Sequence, residues 1–177
     1  MMFEIAKLSG TPEREIPLGT MRGTQIPNAV AIAEVPDYAS RRYDRMRMSH
    51  QWEQRKHPCG IYNCFGHVFA TRRTSIYDDE NMWIRLIQAE DGYRLIGPSD
   101  QAVVGDIALY LHKADLSFLH VGRIVVADYT GDLPLIKVLS KWNDTAGEDI
   151  HVIHDVPYPS MGLECEIEIW TDRRGDT

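Results

Sequence analysis

The sequence predicts an α+β domain, helices first and an antiparallel sheet afterwards. Three features carry that prediction: apolar residues at helical spacing in the first half, β-rich alternating runs in the second, and turn-forming residues between those runs. Met1 to Tyr38 holds Pro12, Pro17, Pro27 and Pro36 with Gly10, Gly19 and Gly23, a density of breakers that predicts an irregular arm. Asp37 to Gln54 is polar with scattered Tyr38, Tyr43, Met46, Met48 and Trp52, and reads as a helix packed on the domain.

From Asn63 to about Thr71, Phe65, Val68 and Phe69 share one helical face behind Asn63, a good N-cap residue, so Cys64 falls in the first turn. A second helix is expected from Asp79 to Glu90, closed by Asp91-Gly92. The strands follow. Val103 to Leu111, His120 to Ala127, Leu135 to Trp142 and Glu164 to Trp170 are β-rich, and Asp128 to Asp132 is a turn that makes the second and third a hairpin. Folding about that turn sets His120 opposite Ser140 to Trp142. The expected organisation is an N-terminal extension over 1–45, one domain over 46–172 and a tail over 173–177.

Composition narrows the function classes. With 177 residues, 44% hydrophobic and 25% charged, this is an ordinary globular chain. A net charge of −7 weighs against a phosphate-backbone partner, so no nucleic-acid partner is expected. The arginines at 41, 42, 45, 47 and 55, with Lys56, read as a solvated face. No apolar run is long enough for a bilayer and Met1 to Pro12 lacks a leader pattern, which predicts a cytoplasmic protein with no membrane partner. Three cysteines, 59, 64 and 165, are an odd number for a disulfide framework and point to reduced thiols.

Cys64 is the candidate nucleophile. A helix start stabilises a thiolate through its free N–H groups, and the same groups can receive the oxyanion formed when sulfur attacks a carbonyl. His120, at the head of a strand with the small Gly122 beside it, is the candidate acid and base. His67 reads as a packing or surface residue, and His112, His151 and His154 as surface or loop residues. Asp106 reads as the closure of a turn. Glu164, Glu166 and Glu168 read as the solvent face of an edge strand.

Tyr62-Asn63-Cys64-Phe65-Gly66-His67-Val68 resembles the nucleophile motif of the NlpC-type papain-like cysteine peptidases. Gly105-Asp106-Ile107-Ala108-Leu109-Tyr110 is similar to that family's Gly-Asp-Leu strand, and His120-Val121-Gly122-Arg123-Ile124-Val125 to its His-Val-Gly-Ile strand, in the same order. Val138 to Asn143 resembles the last strand of the related CHAP amidases. The resemblance spans Tyr62 to Asn143 and implies a papain-like cysteine hydrolase fold, N-terminal helices packed on an antiparallel β-sheet. It implies a peptidase or amidase that cleaves an amide or ester carbonyl through a Cys64 thioester, needing no cofactor or metal.

By the family's pattern a polar residue on the next strand orients the imidazole. Hairpin geometry gives Ser140, with Asn143, Glu148 and His151 as alternatives. A Ser there departs from the family's Glu or Asn, and Phe65 departs from its usual Ser. The stretch from Thr74 to Ser99, with Trp83 and Tyr93, would shape the substrate side. Substrates in keeping with the resemblance are a peptide, a peptidoglycan fragment or a protein side-chain amide, by hydrolysis, deamidation or acyl transfer.

Two rival readings use the same residues. His57, Cys59, Cys64 and His67 are of types that zinc accepts, at a spacing that matches no common finger. A papain-like module that has lost catalysis and binds a partner is the other, suggested by Ser140.

Overall fold

The computed structural model describes residues 13–31, 34–78, 81–97 and 100–173. In chain order the elements are β1 (Glu13–Arg14), β2 (Val30–Ala31), α1 (Asp37–Met48), β3 (Glu53–Lys56), α2 (Cys64–Phe69), α3 (Met82–Glu90), β4 (Arg94–Leu95), β5 (Ile107–His112), β6 (Phe118–Asp128), β7 (Leu135–Lys141), β8 (Glu148–Val152) and β9 (Cys165–Thr171). A single 3₁₀ turn, Pro159–Met161, precedes β9. Seven strands form one sheet in the order β3-β8-β7-β6-β5-β9-β4, every neighbour antiparallel, while β1 and β2 pair separately. The chain is therefore α+β, as its patterning predicts.

Both faces of the sheet are covered, which gives two apolar layers. Against one face lie α2 and α3, where Cys64, Phe65, Val68, Ile84 and Ile87 meet Ile107, Leu109, Leu111 and Val121. Against the other lie Tyr43 of α1, Trp52, Trp142 and Tyr158, packed on Ala108, Tyr110, Ile124 and Val138. The strand period of two divides β5 cleanly between these layers, odd-numbered residues to one and even-numbered to the other. All of Ile107 to Leu111 is fully buried.

Three expectations change. The helix read over Asp37 to Gln54 stops at Met48, a turn follows at Ser49, and Glu53–Lys56 pairs with β8 instead. His151, read as a loop residue, lies buried in β8. The edge strand that carries Glu166 and Glu168, β9, is not open along its whole length: the two-residue β4 pairs with Trp170 and Thr171 at its far end. The expected helix start at Asp79 lies outside the described residues, and α3 begins at Met82 with Asp78 accepting the Trp83 and Ile84 N–H groups at 3.0 and 2.8 Å. Among the described residues no helix is long and apolar enough to cross a membrane.

Close approach explains Gly66. A Cβ there would overlap the Thr74 carbonyl oxygen, so only glycine lets α2 lie against the segment that follows it. Thr71 and Arg72 then take left-handed conformations, φ 53° and 65°, which ends α2 and sends the Arg72 side chain back across the sheet.

Candidate functional site

Asn63 builds the start of α2. Its Oδ1 accepts from the N–H of Gly66 at 2.9 Å and of Ile76 at 3.2 Å, and its Nδ2 donates to the Ile76 carbonyl at 2.6 Å. One side chain thereby caps the helix and clamps it to the 74–76 segment. Cys64 follows in the first turn, as its spacing predicts.

The chemistry of that sulfur differs from the expectation of a low-pKa thiol. Burial pushes the Cys64 thiol up to about 12; the nearby Asp144 carboxylate adds to this, and the backbone N–H groups of Val121, Phe65 and Cys64 itself oppose it without prevailing. A helix of only six residues offers a small dipole against the loss of water. Only 5% of Cys64 is exposed. A thiol raised so far stays protonated at neutral pH.

His120 is placed by strand parity. Val121 packs with Cys64, so its neighbour His120 turns to the opposite layer, where its ring lies 5.6 Å from Tyr110 and 4.7 Å from Trp142. The residue is fully buried, and burial, with the charges of His151 and His67, holds its pKa well below the usual imidazole value. Neither ring nitrogen makes a hydrogen bond among the described residues, to the Cys64 sulfur or to any other atom. The expected thiol–imidazole pair is thus not joined, although Cys64 sulfur meets the backbone N–H of the very next residue, Val121.

Ser140 does not orient His120. The hairpin pairing starts at Asp128 opposite Leu135, so Gly122, not His120, stands opposite Ser140 even after the bulge between Ile124 and Val126 has moved the register one residue towards His120. The Ser140 hydroxyl and His151 Nε2 are 2.8 Å apart, and His151 Nδ1 lies 2.8 Å from the Val152 carbonyl. Nδ1 then carries the proton and Nε2 accepts from the hydroxyl. Gly122 makes room for this, since a Cβ there would overlap Ser140 Oγ and Val138 Cγ1. Among the alternatives, Asn143 accepts from the Thr145 backbone N–H and hydroxyl, and Glu148 lies on the α2 face among other partners.

Those partners form a network that the sequence reading missed. Arg72 donates to Glu148 through Nε at 2.7 Å and Nη2 at 3.0 Å, Tyr62 donates to it at 2.5 Å, and Lys56 Nζ reaches the Tyr62 hydroxyl at 3.0 Å. Burial alone would raise the Glu148 carboxyl, but Arg72 and Tyr62 hold it down at about 2. Lys141, fully buried, donates to the carbonyls of Cys59 at 2.8 Å and Ala146 at 2.6 Å. The long sequence separation of these residues hid them. The one available signal was the cluster of charges on either side of Trp142.

The four residues of the zinc reading do not converge. Cys59 sulfur lies 3.7 Å from Lys141 Nζ, His67 Nε2 lies 3.8 Å from Glu148, Cys64 is in the core, and no group of three metal-binding side chains occurs among the described residues. A cleft of about 560 Å³ opens elsewhere, beside His50, Gln51, His151 and Asp155. There the His50 ring stacks on Trp52 at 4.3 Å and its Nδ1 lies 2.7 Å from Asp155.

No protein-family model matches the chain, and no curated protein or solved structure matches it either.

Proposed function

We propose that the chain is a binding module with the element order of a papain-like cysteine hydrolase, in which Cys64 packs the core and does not attack a substrate. One observation carries this reading: the Cys64 sulfur is buried in the core, and both nitrogens of the buried His120 stand without a hydrogen bond among the described residues. A nucleophile needs a thiolate and a base within reach, and the burial of Cys64, with the His120 ring turned to the opposite layer, supports the module over the enzyme. The other two cysteines are partly exposed, so a soluble thiol reagent should find Cys59 and Cys165 first. The test is mass mapping of iodoacetamide adducts in wild type and His120→Ala. Cys64 labelling later than the other two in both proteins supports the module; early labelling of Cys64 that His120→Ala abolishes overturns it.

A second reading, a cysteine peptidase or amidase, keeps support from one contact. Cys64 packs with Val121, next in chain to His120, so a one-residue slip at the head of β6 would turn the His120 ring to the α2 face and bring thiol and imidazole within reach. In that state the sulfur would attack a peptide, peptidoglycan-fragment or side-chain amide carbonyl and His120 would protonate the leaving amine. Turnover of a fluorogenic amide library, lost in Cys64→Ala with unchanged thermal stability, would favour it.

A further inference from the structure

β9 lies against β5, whose residues Ile107 to Leu111 are fully buried, so it has a rigid backing. Its outer side is covered only at one end: β4 pairs with Trp170 and Thr171, and the Ile96 N–H reaches the Ile169 carbonyl at 2.8 Å. That last bond fixes the direction of the backbone. The Ile169 carbonyl points outward, and by the period of two so do the N–H and C=O groups of Ile167 and Cys165. Among the described residues nothing pairs with those groups.

The two faces of this open stretch differ. On one face stand Glu166 and Glu168. Glu168 is engaged by Arg85 and Trp170 Nε1, at 3.3 and 2.8 Å, whereas the exposed Glu166 makes no ion pair among the described residues. On the other face Cys165 and Ile167, with Val156 and Pro159, line a cleft of about 500 Å³ whose rim carries His154 and the Lys113–Glu164 ion pair. A second copy of this strand would set glutamates beside glutamates on a chain of net charge −7, which disfavours self-pairing. A basic strand meets the opposite situation.

We propose that the outer edge of β9 at Cys165–Ile167 receives an extended, basic segment of a partner protein by strand addition, its apolar side chains entering the cleft and a Lys or Arg facing Glu166. This names the partner chemistry for the binding reading above and rests on it, but uses no property of Cys64. Cys64 labelling and strand addition therefore fail separately.

The test is titration of the full chain with an acetylated, amidated Lys-Val-Lys-Val-Lys-Val peptide, followed by amide exchange. The block peptide Lys-Lys-Lys-Val-Val-Val and a Glu-Val alternating peptide serve as comparisons. The alternating basic peptide should bind about tenfold more tightly than either, and Glu166→Lys should weaken it about tenfold. On binding, exchange of the Ile167 amide should slow while that of Glu166, already directed at β5, stays as it was. Ile167→Pro removes an outward N–H only, so it should abolish binding; Glu166→Lys leaves the backbone intact should the proline variant misfold. Equal affinity for the block peptide, an Ile167 amide unchanged on binding, or one already slow in the free protein would each overturn the proposal.

Discussion

Trp142 lies face to face with His120, the ring centroids 4.7 Å apart and the planes 18° from parallel. The imidazole is therefore held as a flat core ring, stacked like an apolar aromatic, with its two nitrogens unbonded among the described residues. This is the arrangement from which the following expectations come.

Substituting His120 by Phe should not harm the fold. Two buried nitrogens without partners cost free energy that a phenyl ring does not incur, so His120→Phe should be as stable as wild type or gain up to about 1 kcal/mol, less any crowding. The urea midpoint measures this. A loss beyond about 2 kcal/mol would mean that the imidazole makes hydrogen bonds essential to the core.

Acid should destabilise the protein early. Burial first of all lowers His67 and His151 from 6.5 to about 4, and also holds His120 well below 6.5. A histidine with a depressed folded pKa contributes stability above its unfolded value, and that stability is lost as pH falls from about 6.5 towards the folded pKa. Each such group gives a slope of at most about 1.4 kcal/mol per pH unit. The Glu148 carboxyl, held at about 2 against 4.5, adds its loss only below about pH 4.5. Denaturant titrations at half-unit steps should therefore show a steep fall between pH 6.5 and 4, shallower in His151→Phe. A flat profile across that window contradicts the burial of neutral histidines.

Asn63→Ala should cost about 2 to 3 kcal/mol, because it removes a helix cap and leaves buried Ile76 backbone groups without partners. Asn63→Asp keeps the acceptors for Gly66 and Ile76 N–H but loses the donor to the Ile76 carbonyl, so it should fall between the two. Equal midpoints for all three proteins would show that the clamp contributes nothing.

The helix at Cys64 was readable because its cap and apolar spacing are local, and four of the strands were readable because they are β-rich runs between turns. The strand β8 was not. Its Glu148, Asp149 and His151 are polar residues made burial-compatible by Arg72, Tyr43 and Ser140, all from other segments of the chain. The face of His120 was equally hidden: His120, Val121 and Gly122 are all buried, so no alternation marks which one looks towards α2. Hairpin counting about Asp128 to Asp132 centred the turn too early in the chain, since the pairing begins at Asp128 opposite Leu135, and so missed the true partner of Ser140.

The pH dependence of Cys64 alkylation tests the central claim most directly. A buried, neutral thiol with a pKa of about 12 should react with iodoacetamide at a rate that rises about tenfold per pH unit from 7 to 9 without a plateau, unchanged in His120→Phe. A rate that levels off below pH 7 and collapses in that variant would contradict the claim, and would make Cys64 and His120 the working pair of an enzyme.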